Sequence, residues 1–218
     1  VTDHLSDLLF CPSETATANL QAEGITQGVK VVGDVMADAV LFAKEKTAQS
    51  TILKDLGLEH KGYLLATVHR AENTDDPNRL TNILSAFSQI DEPIVFPVHP
   101  RTRKCLEKVC YQPPSNLKLL DPVGYFEMVA LEKSARMILT DSGGMQKEAY
   151  WLEVPCVTLR DETEWVETVE AGWNVLTGAN LREIVHAVCT FKPPVVHPAL
   201  YGDGTGAHDI VRTIITAE

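Results

Sequence analysis

The stretch from Met137 to Tyr150, M-I-L-T-D-S-G-G-M-Q-K-E-A-Y, contains the pattern from which the fold of this chain can be predicted. A short run suited to a buried strand is followed by a turn with two adjacent glycines, and a helix-favouring segment comes directly after it. The same order, an apolar run and then a polar helical stretch, recurs along most of the 218 residues. Such alternation predicts a Rossmann-like α/β fold, in which a doubly wound parallel sheet carries helices on both faces.

The predicted strands are short runs rich in Val, Ile and Leu: Asp7–Cys11, Val29–Val32, Tyr63–Val68, Ile94–Val98, Leu117–Leu120, Met137–Thr140, Cys156–Leu159 and Asn174–Leu176. Because these runs are apolar on both faces, each is typical of a parallel strand that is covered on both sides. Residues 1–32 are expected to be a remnant of a preceding Rossmann-like domain, since the chain opens almost directly into a strand. We assign the main domain to residues 33–204 and a C-terminal helix to residues 205–218.

Composition excludes several classes of partner. Lys and Arg total 19 against 30 for Asp and Glu, so the net charge is −11 and nucleic acid is not expected. No apolar run approaches the roughly 20 residues of a membrane span, and no membrane association is expected. The five cysteines are an odd number without C-x-x-C spacing, which favours reduced, mostly buried thiols in a cytoplasmic protein. We expect no metal site and no cofactor.

Polar residues follow several predicted strands, where ligands bind in open α/β sheets. After Met137–Thr140 come Asp141, Ser142, Gly143 and Gly144, at the start of a helix. Backbone N–H groups and the helix dipole make this turn suited to a phosphate or diphosphate. The competing interpretation is a glycine-rich tight turn with Ser142 as a simple helix cap. Glu148 lies one helical turn further on, where it could bind a sugar diol or be only an exposed acid.

Two more strand ends carry histidine and arginine. His69 and Arg70 leave the strand Tyr63–Val68, and the imidazole of His69 suits acid–base chemistry or phosphate binding. His99 and Arg101 leave the strand Ile94–Val98 in a similar way and could line an anion pocket. For both strand ends the competing interpretation is structural, with a histidine that caps the next helix or a solvated basic helix start. From these residues alone, the chain is an anion-binding, nucleotide-type α/β domain without a named reaction.

Taken together and in order, the strand-end motifs resemble the non-hydrolysing UDP-N-acetylglucosamine 2-epimerases. The resemblance covers nearly the whole chain and is carried by D-H-L-S-D-L-L-F-C-P-S-E-T-A at Asp3–Ala16, V-V-G-D at Val31–Asp34, H-R-A-E-N at His69–Asn73, P-V-H-P at Pro97–Pro100, D-P-V-G-Y at Asp121–Tyr125, T-D-S-G-G at Thr140–Gly144, R-D-E-T-E at Arg160–Glu164 and Y-G-D-G at Tyr201–Gly204. It implies the C-terminal domain of a two-domain enzyme of the glycosyltransferase-B arrangement, with the active site between the domains.

The implied reaction inverts C2 of UDP-GlcNAc to give UDP-ManNAc, through elimination of UDP to a glycal and its re-addition. By the same resemblance His69 is the catalytic residue, a cationic donor near the departing UDP. The implied UDP-binding residues are Ser142, Gly143 and Gly144 on the diphosphate, Glu148 on the ribose hydroxyls, Met128 in the uracil-lining stretch, and Arg70, His99 and Arg101 around the cleft. The acidic residues that move protons at C2 belong to the missing N-terminal domain, so this chain alone is expected to bind UDP with little or no turnover.

Two positions depart from the plain epimerases. There, T-E is usually followed by Arg and Pro, whereas Trp165 and Val166 follow here, and Lys147 stands where a second acid is common. The sequence around these positions is more similar to that of the branch that epimerises UDP-2,3-diacetamido-2,3-dideoxyglucuronate. A substrate with an extra carboxylate would suit the extra lysine, which is a hypothesis from one position.

Several alternatives stay open. A glycosyltransferase of the same fold would carry a second Glu where Pro155 stands, counting from Glu148, so that pattern fails. A non-catalytic UDP-sugar-binding module and a hydrolysing epimerase share the motifs present here. The expected partners are a UDP-sugar and the missing N-terminal domain, and a homodimer of the full-length protein stays open.

Overall fold

A computed structural model of the chain describes residues 1–216. It contains two compact units: residues 1–43 with the segment from Pro198 onward, and residues 44–197. The sequence-based domain boundaries, after residues 32 and 204, are a different division and stay predictions. The strands are β1 (Leu9–Cys11), β2 (Val29–Val31), β3 (Leu64–Thr67), β4 (Ile94–Pro97), β5 (Leu117–Leu120), β6 (Met137–Thr140), β7 (Cys156–Thr158) and β8 (Asn174–Leu176).

The helices confirm the predicted alternation. They are α1 (Glu14–Ala22), α2 (Val35–Lys46), α3 (Ile52–Leu56), α4 (Ala71–Thr74), α5 (Pro77–Ser88), α6 (Pro100–Lys108), α7 (Tyr125–Ser134), α8 (Gly143–Trp151), α9 (Val166–Glu170), α10 (Leu181–Thr190) and α11 (Gly206–Thr216). Two short 3₁₀ helices cover Asp3–Leu5 and Thr47–Gln49. Within residues 1–216, no helix has the length and apolarity that a membrane crossing requires.

The larger unit is built on a six-stranded, fully parallel sheet in the order β5-β4-β3-β6-β7-β8. Every residue of β3, β4, β6 and β7 is buried, as expected for strands covered on both faces. The expectation is wrong for β5 and β8, which lie at the sheet edges and are partly exposed, and for β2 of the smaller unit. The chain winds outward from β3 to β5, then returns to β6 and winds outward on the other side. This is the strand order of the doubly wound dinucleotide-type fold, so the predicted fold class is confirmed.

Helices pack on this sheet through regular apolar faces. On α5, Ile83, Leu84 and Phe87 are buried together with Ile184 of α10. Pro77 begins α5 and Asp76 caps it by accepting hydrogen bonds from Asn78 and Arg79 N–H, as Pro and Asp favour at these positions. Each such buried Leu, Ile or Phe side chain contributes about 2 kcal/mol of stabilisation. The core therefore holds the carboxyl ends of the strands in place.

The smaller unit pairs β1 and β2 in parallel and joins two of the sequence motifs. Asp34 N–H donates to the Tyr201 carbonyl at 2.8 Å. Gly33 has φ +79°, and a Cβ there would lie 2.8 Å from that carbonyl oxygen and 2.9 Å from Cα of Gly202. Only glycine fits such an approach. The Y-G-D-G loop at Tyr201–Gly204, one of the motifs that carry the resemblance, thus has a packing reason for its glycine at position 202.

The cysteines differ in part from the sequence expectation. All five are free thiols, but only Cys11 and Cys156 are buried. Cys105 is partly buried, whereas Cys110 and Cys189 are exposed. The prediction of mostly buried thiols is therefore wrong for the two exposed residues, which lie at the ends of α6 and α10 where the helices meet solvent.

Candidate active site

A cavity of about 260 Å³ opens where the strand order reverses, at the carboxyl ends of β3, β4 and β6. In doubly wound sheets the loops diverge at this point and leave a crevice for a ligand. The lining residues come from five loops or helices of the larger unit: Thr67, His69, Pro97, His99, Pro122, Val123, Tyr125, Met128, Glu132, Ser142, Met145 and Glu148. His69, His99, Met128, Ser142 and Glu148, predicted from sequence, are thus brought together.

Asp141 organises the loop that carries His69. Its side chain is completely buried and accepts hydrogen bonds from His69 N–H at 3.0 Å and from Arg70 N–H at 2.9 Å. The amide of Asn73 donates to it as well, at 3.1 Å. This carboxylate therefore ties the end of β6 to the loop after β3. Sequence analysis noted Asp141 only as part of the glycine turn and missed this contact across the sheet.

His69 is half-buried beside Asp141, with Nδ1 3.7 Å from the nearer carboxylate oxygen. Burial lowers the pKa of the imidazole, Asp141 opposes that change, and the neighbouring His99 and Arg70 add to it. The net direction favours the neutral imidazole, unlike the cationic donor expected from the resemblance. A bound anion would shift the balance back, since negative charge nearby favours the protonated form.

His99 and Arg101 have structural partners. The ring of His99 lies 5.3 Å from that of His69, and its Nδ1 accepts the N–H of Arg101, which caps α6. Arg101 does not line the cavity, because its guanidinium pairs with Asp75 at 2.6 Å and donates to Thr74 at 2.8 Å. Both residues therefore make the contacts of the structural interpretation, and only His99 also lies on the cavity wall; their role in UDP binding stays a prediction.

Ser142 caps α8, as the competing interpretation held, by accepting Met145 N–H at 3.4 Å. Gly143 begins the helix in a crowded place: a Cβ there would lie 3.0 Å from Nε1 of Trp165 and 3.5 Å from a guanidinium nitrogen of Arg70. Arg70 thus reaches the helix N-terminus from the loop after β3. A cationic side chain and the helix dipole converge at this turn, which suits an anion.

Two acids on neighbouring helices lie on the cavity wall. Burial raises the pKa of Glu148, while the hydroxyl of Tyr125, which donates to its Oε1 at 3.3 Å, and Lys147 oppose that change. Glu132 of α7 is completely buried, and neither carboxylate oxygen has a hydrogen-bond partner among residues 1–216. Burial, and then the charge of Glu148, raise its pKa well above the usual range. Sequence analysis missed Glu132, although an acid directly after Val129, Ala130 and Leu131 was a visible signal.

Lys147 and Trp165, the two departures noted in the sequence, contact each other. The ammonium of Lys147 lies 3.7 Å from the centroid of the Trp165 ring, and its residue is only 4% exposed. Cation–π attraction of this kind is worth up to about 2 kcal/mol when the cation is desolvated. The two positions therefore act as one structural pair, which makes Lys147 a poor candidate for a ligand of substrate.

The profile of the family described as UDP-N-acetylglucosamine 2-epimerase matches residues 1–215. This chain belongs to that family. The chain is 51% identical over 221 residues to a UDP-N-acetylglucosamine 2-epimerase homolog from Methanococcus maripaludis, covering 98% of this chain and 62% of that protein. It is 44% identical over 221 residues to the UDP-2,3-diacetamido-2,3-dideoxy-D-glucuronate 2-epimerase from Pseudomonas aeruginosa, covering 97% of this chain and 60% of that one.

Among solved structures of the epimerase family, the chain is similar to the UDP-GlcNAc 2-epimerase from Methanocaldococcus jannaschii in complex with UDP-GlcNAc and UDP. The TM-score is 0.89 at 39% sequence identity, over 98% of this chain and 62% of that one. The chain therefore spans about three fifths of the length of these relatives. The resemblance inferred from the strand-end motifs is confirmed at the level of the family.

Proposed function

We propose that this chain is the UDP-binding half of a nucleotide-sugar 2-epimerase, an isomerase that inverts C2 of UDP-GlcNAc to give UDP-ManNAc. The observation that carries the proposal is the cavity at the reversal of strand order, lined by Ser142, His69 and Glu148 in a member of this family. The related M. jannaschii enzyme holds UDP-GlcNAc and UDP, which supports a UDP-sugar as the ligand.

The proposed binding mode divides the nucleotide among these groups. The N-terminus of α8, at Ser142, Gly143 and Gly144, receives the diphosphate together with the guanidinium of Arg70. Glu148 accepts the ribose hydroxyls, and the α7 stretch from Tyr125 to Met128 lines the uracil.

His69 takes part in the chemistry by stabilising the departing UDP. In the elimination the C2 proton leaves, the C1–O bond breaks and negative charge develops on the diphosphate. That charge raises the pKa of the imidazole, so His69 becomes the donor that the departing group requires.

The half of the reaction that moves protons at C2 is proposed to lie in an N-terminal domain. In this proposal residues 1–32 belong to that domain, residues 33–204 form the UDP-binding domain and residues 205–218 the last helix, of which residues 217 and 218 lie outside the described part of the chain. The two domains take the glycosyltransferase-B arrangement, in the cytoplasm and, for the full-length protein, as a homodimer. Without the acidic groups of that domain the chain binds UDP with little turnover, because the reacting groups are not held together.

The P. aeruginosa relative supports a second candidate substrate, UDP-2,3-diacetamido-2,3-dideoxyglucuronate, with the same reaction at C2. The hypothesis that Lys147 selects this substrate through its extra carboxylate is weakened by the burial of the ammonium against Trp165. We expect Lys147→Glu to leave the ratio of affinities for the two UDP-sugars unchanged, with Lys147→Met as the control for loss of charge. A reversed preference in the Glu variant alone would restore Lys147 as the selecting residue.

Calorimetric titration with UDP and UMP tests the proposed diphosphate site. UDP should bind well above UMP, since only UDP offers a diphosphate to the α8 N-terminus. Gly143→Asp should abolish this difference, because its carboxylate occupies the position of an anion. Gly143→Ala is the matched control, since both variants press a Cβ against Trp165 and only one adds charge. Equal binding of UDP and UMP by the wild-type chain would contradict the proposal.

Adding the N-terminal domain of a relative in trans separates an epimerase from a binding module. Interconversion of UDP-GlcNAc and UDP-ManNAc supports the epimerase, and UDP binding without it supports a non-catalytic module. Release of free ManNAc would identify a hydrolysing enzyme.

A further inference from the structure

Glu132 is a buried acid that the proposed chemistry does not use. It lies on α7 against the cavity, its side chain is completely enclosed, and neither oxygen has a hydrogen-bond partner in the described part of the chain. A buried carboxylate without donors or a cation is costly, and such a group lowers that cost by keeping its proton. The position therefore calls for a neutral carboxylic acid rather than a charge.

Within residues 1–216, no cation forms an ion pair with Glu132. Glu148 of α8 adds a negative charge, and Tyr63, Tyr125 and Cys156 are groups whose own pKa values are raised in part by Glu132. The nearby cation, Lys147, interacts with Glu148 and with the Trp165 ring. The short helix α3, which also packs on α7, contributes exposed charges at Lys54 and Asp55.

We propose that Glu132 is a positioning residue that holds a proton beside Glu148, so that Glu148 alone carries the charge that accepts ribose hydroxyls in the cavity. This inference rests on the proposed UDP site. Because the oxygens of Glu132 are shielded from solvent, the residue acts through Glu148 and not by touching the nucleotide. A protonated neighbour keeps the local charge at one, which an anionic ligand tolerates better than two.

Binding of UDP is therefore linked to the proton on Glu132. When pH rises enough to ionise Glu132, a second negative charge acts on Glu148 in a poorly solvated site, and the wild-type affinity for UDP falls. Above the pKa of Glu132, the affinity for UDP falls by at most about tenfold for each pH unit, because binding of one UDP is then accompanied by uptake of about one proton. Glutamine at the same position has no proton to lose.

The test is the dissociation constant of UDP between pH 6 and pH 9 for the wild-type chain and for Glu132→Gln. Ionisation of UDP itself and of His69 affects both proteins equally, so the ratio of the two constants isolates residue 132. We expect the wild type to weaken relative to the Gln variant as pH rises. Glu107→Gln removes an exposed carboxyl of α6 outside the cavity and should follow the wild type. Glu132→Met, of similar volume, replaces the Gln variant if the amide disturbs folding.

The outcomes separate this inference from the function on which it rests. A ratio that changes with pH in the Glu132 variants, but not in Glu107→Gln, supports the positioning role. Parallel profiles in all variants overturn it and leave the UDP site intact. A purely structural role would shift thermal stability without changing the pH profile of binding. Failure of the folded wild-type chain to bind UDP at any pH overturns both.

Discussion

Two carboxyl groups in this molecule are equally buried but differ in the hydrogen bonds that they accept. Asp141, at the end of β6, accepts hydrogen bonds from His69, Arg70 and Asn73, whereas Glu132, in α7, accepts none from the described residues. Equal burial therefore comes with very different hydrogen bonding. Each hydrogen bond that a buried carboxyl group accepts offsets part of its lost hydration, and Glu132 accepts none from the described residues.

The difference follows from secondary structure. Asp141 stands where a strand ends, opposite a loop whose backbone N–H groups have no strand partner and are free to donate. Glu132 stands in the last turn of α7, where the neighbouring N–H groups are already used by the helix itself. Strand ends of a doubly wound sheet therefore supply backbone donors for a carboxyl group, and the last turn of a helix does not. This contrast gives one acid a structural role and leaves the other to hold a proton.

The largest expected effect comes from breaking the donor set of Asp141. His69 N–H lies 3.0 Å from both carboxyl oxygens of Asp141, so in Asp141→Asn the new amide NH₂ faces that N–H in either orientation, and two donors oppose each other in a buried site. We expect the free energy of unfolding to fall by about 3 kcal/mol, since hydrogen bonds to a charged group are worth about 1.5–3 kcal/mol each. Urea denaturation at neutral pH measures this change.

Asp91→Asn is the control for Asp141→Asn, because Asp91 is an exposed acid of the same unit. It should change the free energy of unfolding by less than about 0.5 kcal/mol, as surface substitutions usually do. An equally small change in Asp141→Asn would mean that the cluster around Asp141 does not stabilise the fold.

The sheet was predictable from sequence because its strands are buried through their own side chains. Runs such as Leu64–Thr67 and Met137–Thr140 are apolar up to their final threonine, which favours a buried parallel strand, and the ends of both lie within one residue of the predicted ones. Helix capping can be predicted from sequence for the same reason, since Ser142 and Asp76 accept hydrogen bonds from backbone N–H groups two or three residues away. Burial that depends on one segment and its immediate neighbours can be inferred from that segment.

The parts of the site that sequence did not predict depend on pairs far apart in the chain. Asp141 accepts a hydrogen bond from Arg70, which lies 71 positions earlier in the sequence. Lys147 contacts the Trp165 ring across a turn whose geometry hydrophobic periodicity does not predict. Arg101 was expected near the ligand because it leaves a strand, yet Asp75, an acid on the preceding loop, binds it first. Competition between nearby partners of opposite charge is decided by geometry, which the order of residues does not contain.

The second prediction concerns Glu132 and the pH dependence of the free energy of unfolding. Its pKa is raised in the folded state, so the native chain keeps this proton when the unfolded chain has lost it, above about pH 4.3. Stability of the wild type should therefore fall as pH rises, by about 1.4 kcal/mol for each unit by which the folded pKa exceeds the unfolded one. Glu132→Gln lacks this decline, so its stability relative to the wild type should increase from pH 5 to pH 8.

Urea denaturation at several pH values measures that trend, which does not depend on any fixed cost of the amide. Glu107→Gln should show no such trend, since its carboxyl lies at the surface. A stability difference between Glu132→Gln and wild type that is constant across pH would show that Glu132 ionises like an exposed acid.

We expect a smaller effect from removing a hydrogen-bond donor from Glu148, which leaves this carboxyl group with fewer partners, as is the case for Glu132. Tyr125→Phe removes the hydroxyl that donates to Glu148 at 3.3 Å, which is one of the two influences that lower the pKa of this carboxyl. Its loss raises that pKa further, so more of Glu148 is neutral at low pH and fewer molecules can accept the ribose hydroxyls that we propose it binds. Affinity for UDP should fall about twofold to threefold, as expected for a long hydrogen bond worth about 0.5 kcal/mol. The defect should be larger at pH 6 than at pH 8, opposite to the trend for Glu132. Tyr111→Phe, which removes a hydroxyl outside the cavity, should bind UDP like the wild type, and an equal loss in both variants would contradict the role given to Tyr125.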